Sequence, residues 1–266
     1  MSARERSAER PSFPGDSVIL VTSAAARTSL RVIFRPRART PNRRIGRITS
    51  MRFADVLVRL DAALRSPLPG PAAQDVLAPI PRRQWPSGFN PGRIRNAAGL
   101  LLVYPRPAFP DGDAAQIVLT VRADTLRHGG QVSLPGGVVE PGETFEQAAV
   151  REAHEEIALE PGIVQVRGAL TPIDIPVSGF RLHPIVATSD AAPALRPADG
   201  EVARILELDV EELLHPQCVR LTERTRDGRT IQVPAFCAAD VEIWGATAMV
   251  LAEFLALLGW RTDLPK

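Results

Sequence analysis

The spacing of hydrophobic positions changes character along the chain. From Met51 the run MRFADVLVRLDAALR places Phe53, Val56, Leu57, Leu60 and Leu64 at helical intervals, which predicts an amphipathic helix over 52–65. Between Pro67 and Pro91 the proline density excludes long regular structure and predicts a linker or wrapping arm. Short apolar runs bounded by Gly, Pro or Asp follow: GLLLVYP at 99–105, QIVLTVR at 116–122 and QVSLPGG at 131–137, each of strand length. A helical pattern over 144–157 comes next. Strands are then predicted at 163–170, 180–188 and 203–210, with a hairpin around Asp227-Gly228 and a closing helix near 243–259. Strands with helices to cover them predict a mixed α/β domain over 95–262, preceded by the helix and proline-rich connector of 51–94.

Composition adds two things to this picture. Of 266 residues 45% are apolar and 23% charged, as in soluble globular proteins, and no apolar run reaches the length of about 18 that a membrane helix needs. Cys218 and Cys237 are the only cysteines, so neither a disulfide framework nor a zinc motif is expected, and a cytoplasmic, reducing compartment is the simplest home. The net charge of +2 hides an asymmetry: residues 1–50 hold eleven arginines against Glu5, Glu9 and Asp16, a balance of +8 that leaves −6 for the rest. Three readings of this leader stand: a start at Met51 with the leader an upstream extension, a disordered basic arm able to touch nucleic acid non-specifically, or a targeting segment.

The helical stretch over 144–157 poses a charge problem. In REAHEE (151–156), Glu152, Glu155 and Glu156 stand at i, i+3 and i+4 and project from one face, on the border of the apolar side formed by Phe145, Ala149, Val150, Ala153 and Ile157. Each like-charge neighbour costs about 0.2–0.5 kcal/mol in an isolated helix, and no lysine lies nearby to relieve it. Something cationic is expected on that face. An all-oxygen, anionic cluster without converging His or Cys suits Mg²⁺ or Mn²⁺ better than zinc.

Residues 136–159 read GGVVEPGETFEQAAVREAHEEIAL, and this string resembles the Nudix box, GX5EX7REUXEEXGU with U aliphatic. Gly137, Glu143, Arg151, Glu152, Glu155 and Glu156 occupy the fixed positions, with Ala153 and Leu159 at aliphatic ones. Ala158 stands where the pattern has Gly, at a helix end that often requires φ > 0, where Ala costs about 1 kcal/mol. The resemblance implies an α/β/α sandwich with a mixed sheet and a strand, loop and helix that bind divalent cations through Glu152, Glu155, Glu156 and the carbonyl of Gly136. It also implies that Arg151 pairs with Glu143, and that a general base comes from Glu155, Glu156 or a later loop, for which Glu201 in PADGEVAR is the candidate. The activity implied is hydrolysis of a pyrophosphate bond.

Immediately upstream, VLTVRADTLRHGGQVSLPGG (118–137) resembles the coenzyme A pyrophosphatase branch, whose pattern runs approximately LLTxRSxxLRxHxGQVxFPGG. Ala123 replaces Ser, Leu134 replaces Phe, and one residue is missing before His128. Arg122, Arg127, His128 and Gln131 are the substrate-binding candidates, because a guanidinium offers a two-pronged donor to phosphate oxygens. The partner implied is a small molecule, coenzyme A or a related pyrophosphate, with no membrane partner. His183 and His215 have no motif around them and read as structural. Two rivals remain open: an ADP-ribose hydrolase, with Pro172 and Pro176 near the position where such enzymes tend to carry proline, and a non-catalytic Nudix-fold nucleotide-binding module.

Overall fold

A computed structural model describes residues 51–106, 113–124, 129–198, 200–226 and 228–262. The basic leader, Arg127, His128 and Asp227 lie outside the described residues. The fold is a mixed α/β sandwich. Helix α1 (Phe53–Ala63) and the short α2 (Pro71–Gln74) precede strands β1 (Arg95–Arg106), β2 (Ala114–Arg122), β3 (Val132–Ser133) and β4 (Gly136–Val138). Helix α3 (Phe145–Ile157) leads to β5 (Gln165–Ala169), β6 (Ile173–Ile175), β7 (Phe180–Thr188) and β8 (Val202–Asp209). Helix α4 (Val210–Leu214), a sheet of β9 (Val219–Arg226), β10 (Arg229–Ala238) and β11 (Val241–Trp244), and helix α5 (Ala246–Leu257) complete the described elements.

Eight strands form the main sheet along the path β3-β2-β1-β7-β5, with β4 beside β1, β6 beside β7 and β8 beside β2. The long apolar β1 pairs in parallel with β7 from Arg95↔Phe180 to Val103↔Thr188, which buries it on both faces as parallel pairing generally requires. On its other edge β1 meets β2 only through Val103–Arg106. The two strands then diverge. β3 attaches to Thr120 and Val121 of β2, and β4 attaches to Ala97–Gly99 of β1, so the segment 132–138 fills the opening between them. QVSLPGG therefore does not run as one strand: it changes partner at Leu134-Pro135, with Pro135 O accepting from Leu100 N at 2.8 Å.

Alternation along β1 divides the core. Ala98, Leu100, Leu102 and Tyr104 face Ala148, Ala149, Ala153 and Ile157 of α3, whereas Leu101 and Val103 belong to the cluster holding Phe53, Val56 and Leu60 of α1 and Val250, Leu251 and Phe254 of α5. The proline-rich connector is built into this second layer. Leu77 is fully buried, and the buried Glu253 carboxylate of α5 accepts from Gly70 N, Gln74 Nε2, Thr171 N and Thr171 Oγ1 at 2.6–3.2 Å. Four donors on one buried carboxylate satisfy its lone pairs, which is what a charge withdrawn from water requires. The predicted closing helix starts later than its apolar pattern suggests, because Val241–Trp244 pairs with β10 before Gly245 turns the chain at φ 67°.

Helix α3 begins with a reciprocal cap: Thr144 Oγ1 accepts from Gln147 N at 3.2 Å, and Gln147 Oε1 accepts from Thr144 N at 2.9 Å. It ends at Ala158, whose φ of 54° and ψ of 32° are left-handed. An L-residue there is strained, as the sequence pattern suggests. Ala158→Gly should raise stability by about 0.5–1 kcal/mol, a gain of roughly 2–4 °C in Tm for each 1 kcal/mol, measured by thermal denaturation. An unchanged or lower Tm would show that the left-handed turn carries no penalty.

Candidate active site

Two glycines bring β4 and α3 into contact. A Cβ at Gly136 would lie 2.2 Å from Ala98 O, so the strand can approach β1 only without a side chain. A Cβ at Gly137 would lie 2.5 Å from the carboxylate carbon of Glu152. The helix thus presses a carboxylate onto the strand backbone. One turn further on, Glu156 is 9% exposed and its Oε2 accepts from Gly136 N at 3.1 Å. Glu155, between them, keeps 53% of its side chain exposed.

The cation expected on this face is partly supplied by the chain itself. Arg151 Nε and Nη2 donate to the two carboxylate oxygens of Glu143 at 2.7 and 3.0 Å, and Nη2 also donates to Val138 O at 3.0 Å. Its Nη1 donates to Glu152 at 2.9 Å and to Glu155 at 3.2 Å. One guanidinium joins strand, loop and helix. The fork shifts proton affinities in the expected senses: Glu143 is held below the usual carboxylate range by Arg151 first and by the Glu140 N–H second, and Arg151 is pushed up, foremost by Glu143. Glu152 moves the other way. Burial raises its pKa, and the hydrogen bond from Arg151 offsets that only in part.

Among the described residues no three His, Cys, Asp or Glu side chains converge as a ready-made metal cluster. Arg151 Nη1 holds Glu152 and Glu155, and the Gly136 N–H holds Glu156. The donors nevertheless suit a hard divalent cation: all are oxygens, two sit on mostly buried carboxylates, and the absence of a side chain at Gly137 makes room for the Glu152 carboxylate.

The second group of candidates gathers at the far end of β2. Arg122 Nη2 lies 3.2 Å from Glu201 Oε2, which pairs a predicted substrate contact with a predicted general base. Arg122 N donates to Gln131 O at 2.9 Å, and Ala123 N donates to Glu201 O at 2.8 Å, so three of the candidate residues share one strand end. The Glu201 strand reaches α3 as well: Val202 packs in the α3 cluster and Ala198 N donates to Glu156 O at 3.0 Å. His183 stacks on Phe145 with ring centroids 3.6 Å apart and hydrogen-bonds Asn96, a packing role at the start of α3. The Val138 carbonyl that holds Arg151 carries no sequence signal, being main chain.

Comparison with known proteins identifies relatives of this chain. The NUDIX domain model matches residues 107–230. The Nudix hydrolase NudL of Enterobacter sp. (strain 638) is 33% identical over 147 residues, covering 54% of this chain and 76% of that protein. NudL of Escherichia coli O6:H1 is 32% identical over 167 residues, covering 62% of this chain and 83% of that protein. A Nudix hydrolase structure from M. smegmatis, RenU, aligns with 65% of this chain and 88% of its own at 24% identity and a TM-score of 0.45. The chain belongs to the Nudix hydrolase family.

A carboxyl whose pKa rises on folding weakens the fold wherever it is ionised, and that penalty disappears as pH falls below its ordinary value of 4.5. Glu152→Gln should therefore raise the Tm of the protein in chelator at pH 7 by about 1–2 °C, the size of one relieved like-charge contact, with the advantage fading towards pH 4. A Tm scan against pH checks this. A less stable Glu152→Gln protein at pH 7 would mean that the Arg151 contact outweighs burial.

Proposed function

We propose that this Nudix hydrolase splits the pyrophosphate of coenzyme A or its derivatives into adenosine 3′,5′-bisphosphate and 4′-phosphopantetheine, with Mg²⁺ or Mn²⁺ held by Glu152, Glu155, Glu156 and the Gly136 carbonyl. The observation that carries the reading is the stretch LTVRADTLRHGGQVSLPGG, which in sequence joins β2 through β3 to β4 and so places Arg122 and Gln131 close along the chain to the glycines beneath the glutamates. A bound divalent cation supplies charge neutralisation and Lewis acidity at the pyrophosphate. The protein's own residues do the rest. Arg151 and Glu143 fix the loop against the helix, and Glu152 and Glu156 present carboxylates with little competing water. Arg122, Arg127, His128 and Gln131 are assigned to the phosphate and adenosine end of the substrate.

Glu201 is assigned as the general base. Glu156 is engaged by the Gly136 N–H, and Glu152 and Glu155 share one guanidinium, so these three carry the negative charge that attracts the cation. Glu201 comes from a different element, is half exposed, and has Arg122 Nη2 3.2 Å from its carboxylate. A water forms the new P–O bond, Glu201 takes its proton, and the bond to the bridging oxygen breaks with its electron pair on the leaving phosphate. Tyr104, the only tyrosine in the chain, is fully buried and donates to Glu207 at 2.7 Å, which removes it as a base-stacking contact for a dinucleoside polyphosphate. Both cysteines are free thiols, in keeping with a reducing, cytoplasmic setting, and no helix of the described residues is long and apolar enough to cross a membrane.

If the assigned side chains grip the 3′-phosphate, a charge-assisted hydrogen bond worth about 1.5–3 kcal/mol separates coenzyme A from dephospho-coenzyme A. The expected kcat/KM ratio is roughly ten- to a hundredfold. The measurement compares coenzyme A, dephospho-coenzyme A and ADP-ribose with each metal, products resolved by chromatography. Equal rates for the first two would refute the 3′-phosphate contact, and a preference for ADP-ribose would overturn the substrate.

A further inference from the structure

We propose that His183, on β7 and outside the Nudix box, is a positioning residue that seats the cation-binding loop and helix through Phe145 and Asn96. The inference rests on the reading of the α3 carboxylates as a divalent-cation site and adds a residue that holds them in place. Sheet register brings His183 into line with that site. His183 lies opposite Ala98 in the parallel β1–β7 pair, and Ala98 lies opposite Gly137 in the antiparallel β1–β4 pair. Gly137 is where the Glu152 carboxylate rests. One row across the sheet, two strand spacings or about 10 Å long, therefore has an aromatic ring at one end, a glycine under a glutamate at the other and the small Ala98 between them, all on the face that α3 covers.

Both ends of the loop 139–144 are fastened to the same residue, Asn96. At the start, Val139 N donates to Asn96 O at 3.1 Å. At the end, Phe145, the first residue of α3, stacks on His183 with ring centroids 3.6 Å apart and planes 9° from parallel, and His183 Nε2 lies 3.0 Å from Asn96 Oδ1. An amide oxygen only accepts, so Nε2 carries the proton. Between these fastenings Glu143 takes Glu140 N on one carboxylate oxygen and Arg151 Nε on the other. A shift of Phe145 moves Glu143, two residues before it, and with it the guanidinium that holds Glu152 and Glu155. The bed of the helix resists such a shift weakly: Ala148, Ala149 and Ala153 allow close approach but offer low ridges to the sheet, so the large side chains at its two ends, Phe145 and Ile157, oppose sliding most.

The test uses the full-length protein and two readouts, amide hydrogen exchange in chelator and Mn²⁺ titration followed by electron paramagnetic resonance. In His183→Ala the hydrogen-bonded amides of Val139, Glu140 and Glu143 should exchange roughly two- to tenfold faster, the range that an aromatic pair spans, and by more than the amides of α1 and α5, which report opening of the whole domain. The same variant should bind Mn²⁺ about two- to tenfold more weakly. Phe145→Ala should match it, and the double variant should lose little more than either single one, because both remove one contact. His183→Phe, which keeps a ring for Phe145 to stack on, should restore most of the Mn²⁺ affinity. A lower Tm in His183→Ala with wild-type loop exchange and wild-type Mn²⁺ affinity would make His183 a fold-stabilising residue and overturn the proposal, as would losses in the two single variants that add in full. The two readings fail separately: a wild type that takes up no Mn²⁺ removes the cation site and the positioning role with it, whereas a wild type that binds Mn²⁺ no better than His183→Ala removes the positioning role alone.

Discussion

The five-fold hydrogen bonding of the Arg151 guanidinium is the interaction on which the rest of the site depends. Three glutamates on one helical face repel, and a helix carrying them needs a counter-charge before any ligand arrives. Arg151 provides it from the same helix, reaching Glu152 and Glu155 with one nitrogen while the other two hold Glu143 and the Val138 carbonyl. The same side chain therefore relieves the repulsion and anchors the loop 139–144 to strand and helix. Replacing it by lysine would keep a charge but lose the fork, since one ammonium cannot reach these acceptors in fixed directions.

That fork can work only because the sheet opens at the right place. β1 and β2 separate on the N-terminal side of Val103 in β1, and the segment 132–138 enters the gap with two glycines where any side chain would collide with Ala98 or Glu152. The buried sheet face then fixes α3 through alanines, whose small size lets the helix backbone sit close. Packing on one face and charge on the border come from the same 3.6-residue repeat, so the site's geometry follows from how the helix is buried.

Much of this is legible in the sequence, for identifiable reasons. The α3 register and its glutamates follow from period and spacing, and the left-handed end follows from Ala158 standing at a glycine position. Strand 180–188 is bounded as its apolar run suggests. The change of partner at Leu134-Pro135 is not legible, because two short strands separated by a dipeptide look like one in a pattern of alternating residues. β11 merges with the following helix for a similar reason: EIW continues into a run of apolar residues, and only Gly245 marks the break. The connector's burial depends on Glu253, 183 and 179 residues away in the chain from Gly70 and Gln74, and no local pattern reports such a contact. The meeting of Arg122 with Glu201 is likewise tertiary, set by the pairing of β2 with β8.

The central claim is that the carboxylates of α3 form a divalent-cation site that the hydrolysis requires. The most direct measurement is Mn²⁺ titration of the wild type and Glu156→Gln, followed by electron paramagnetic resonance, together with turnover of coenzyme A in excess Mg²⁺. The account predicts that Glu156→Gln keeps the fold by circular dichroism, weakens Mn²⁺ binding by roughly tenfold or more, the loss expected for an ion-to-carboxylate contact in a nearly dry site, and abolishes turnover. Wild-type Mn²⁺ affinity with near-normal turnover in Glu156→Gln would contradict it.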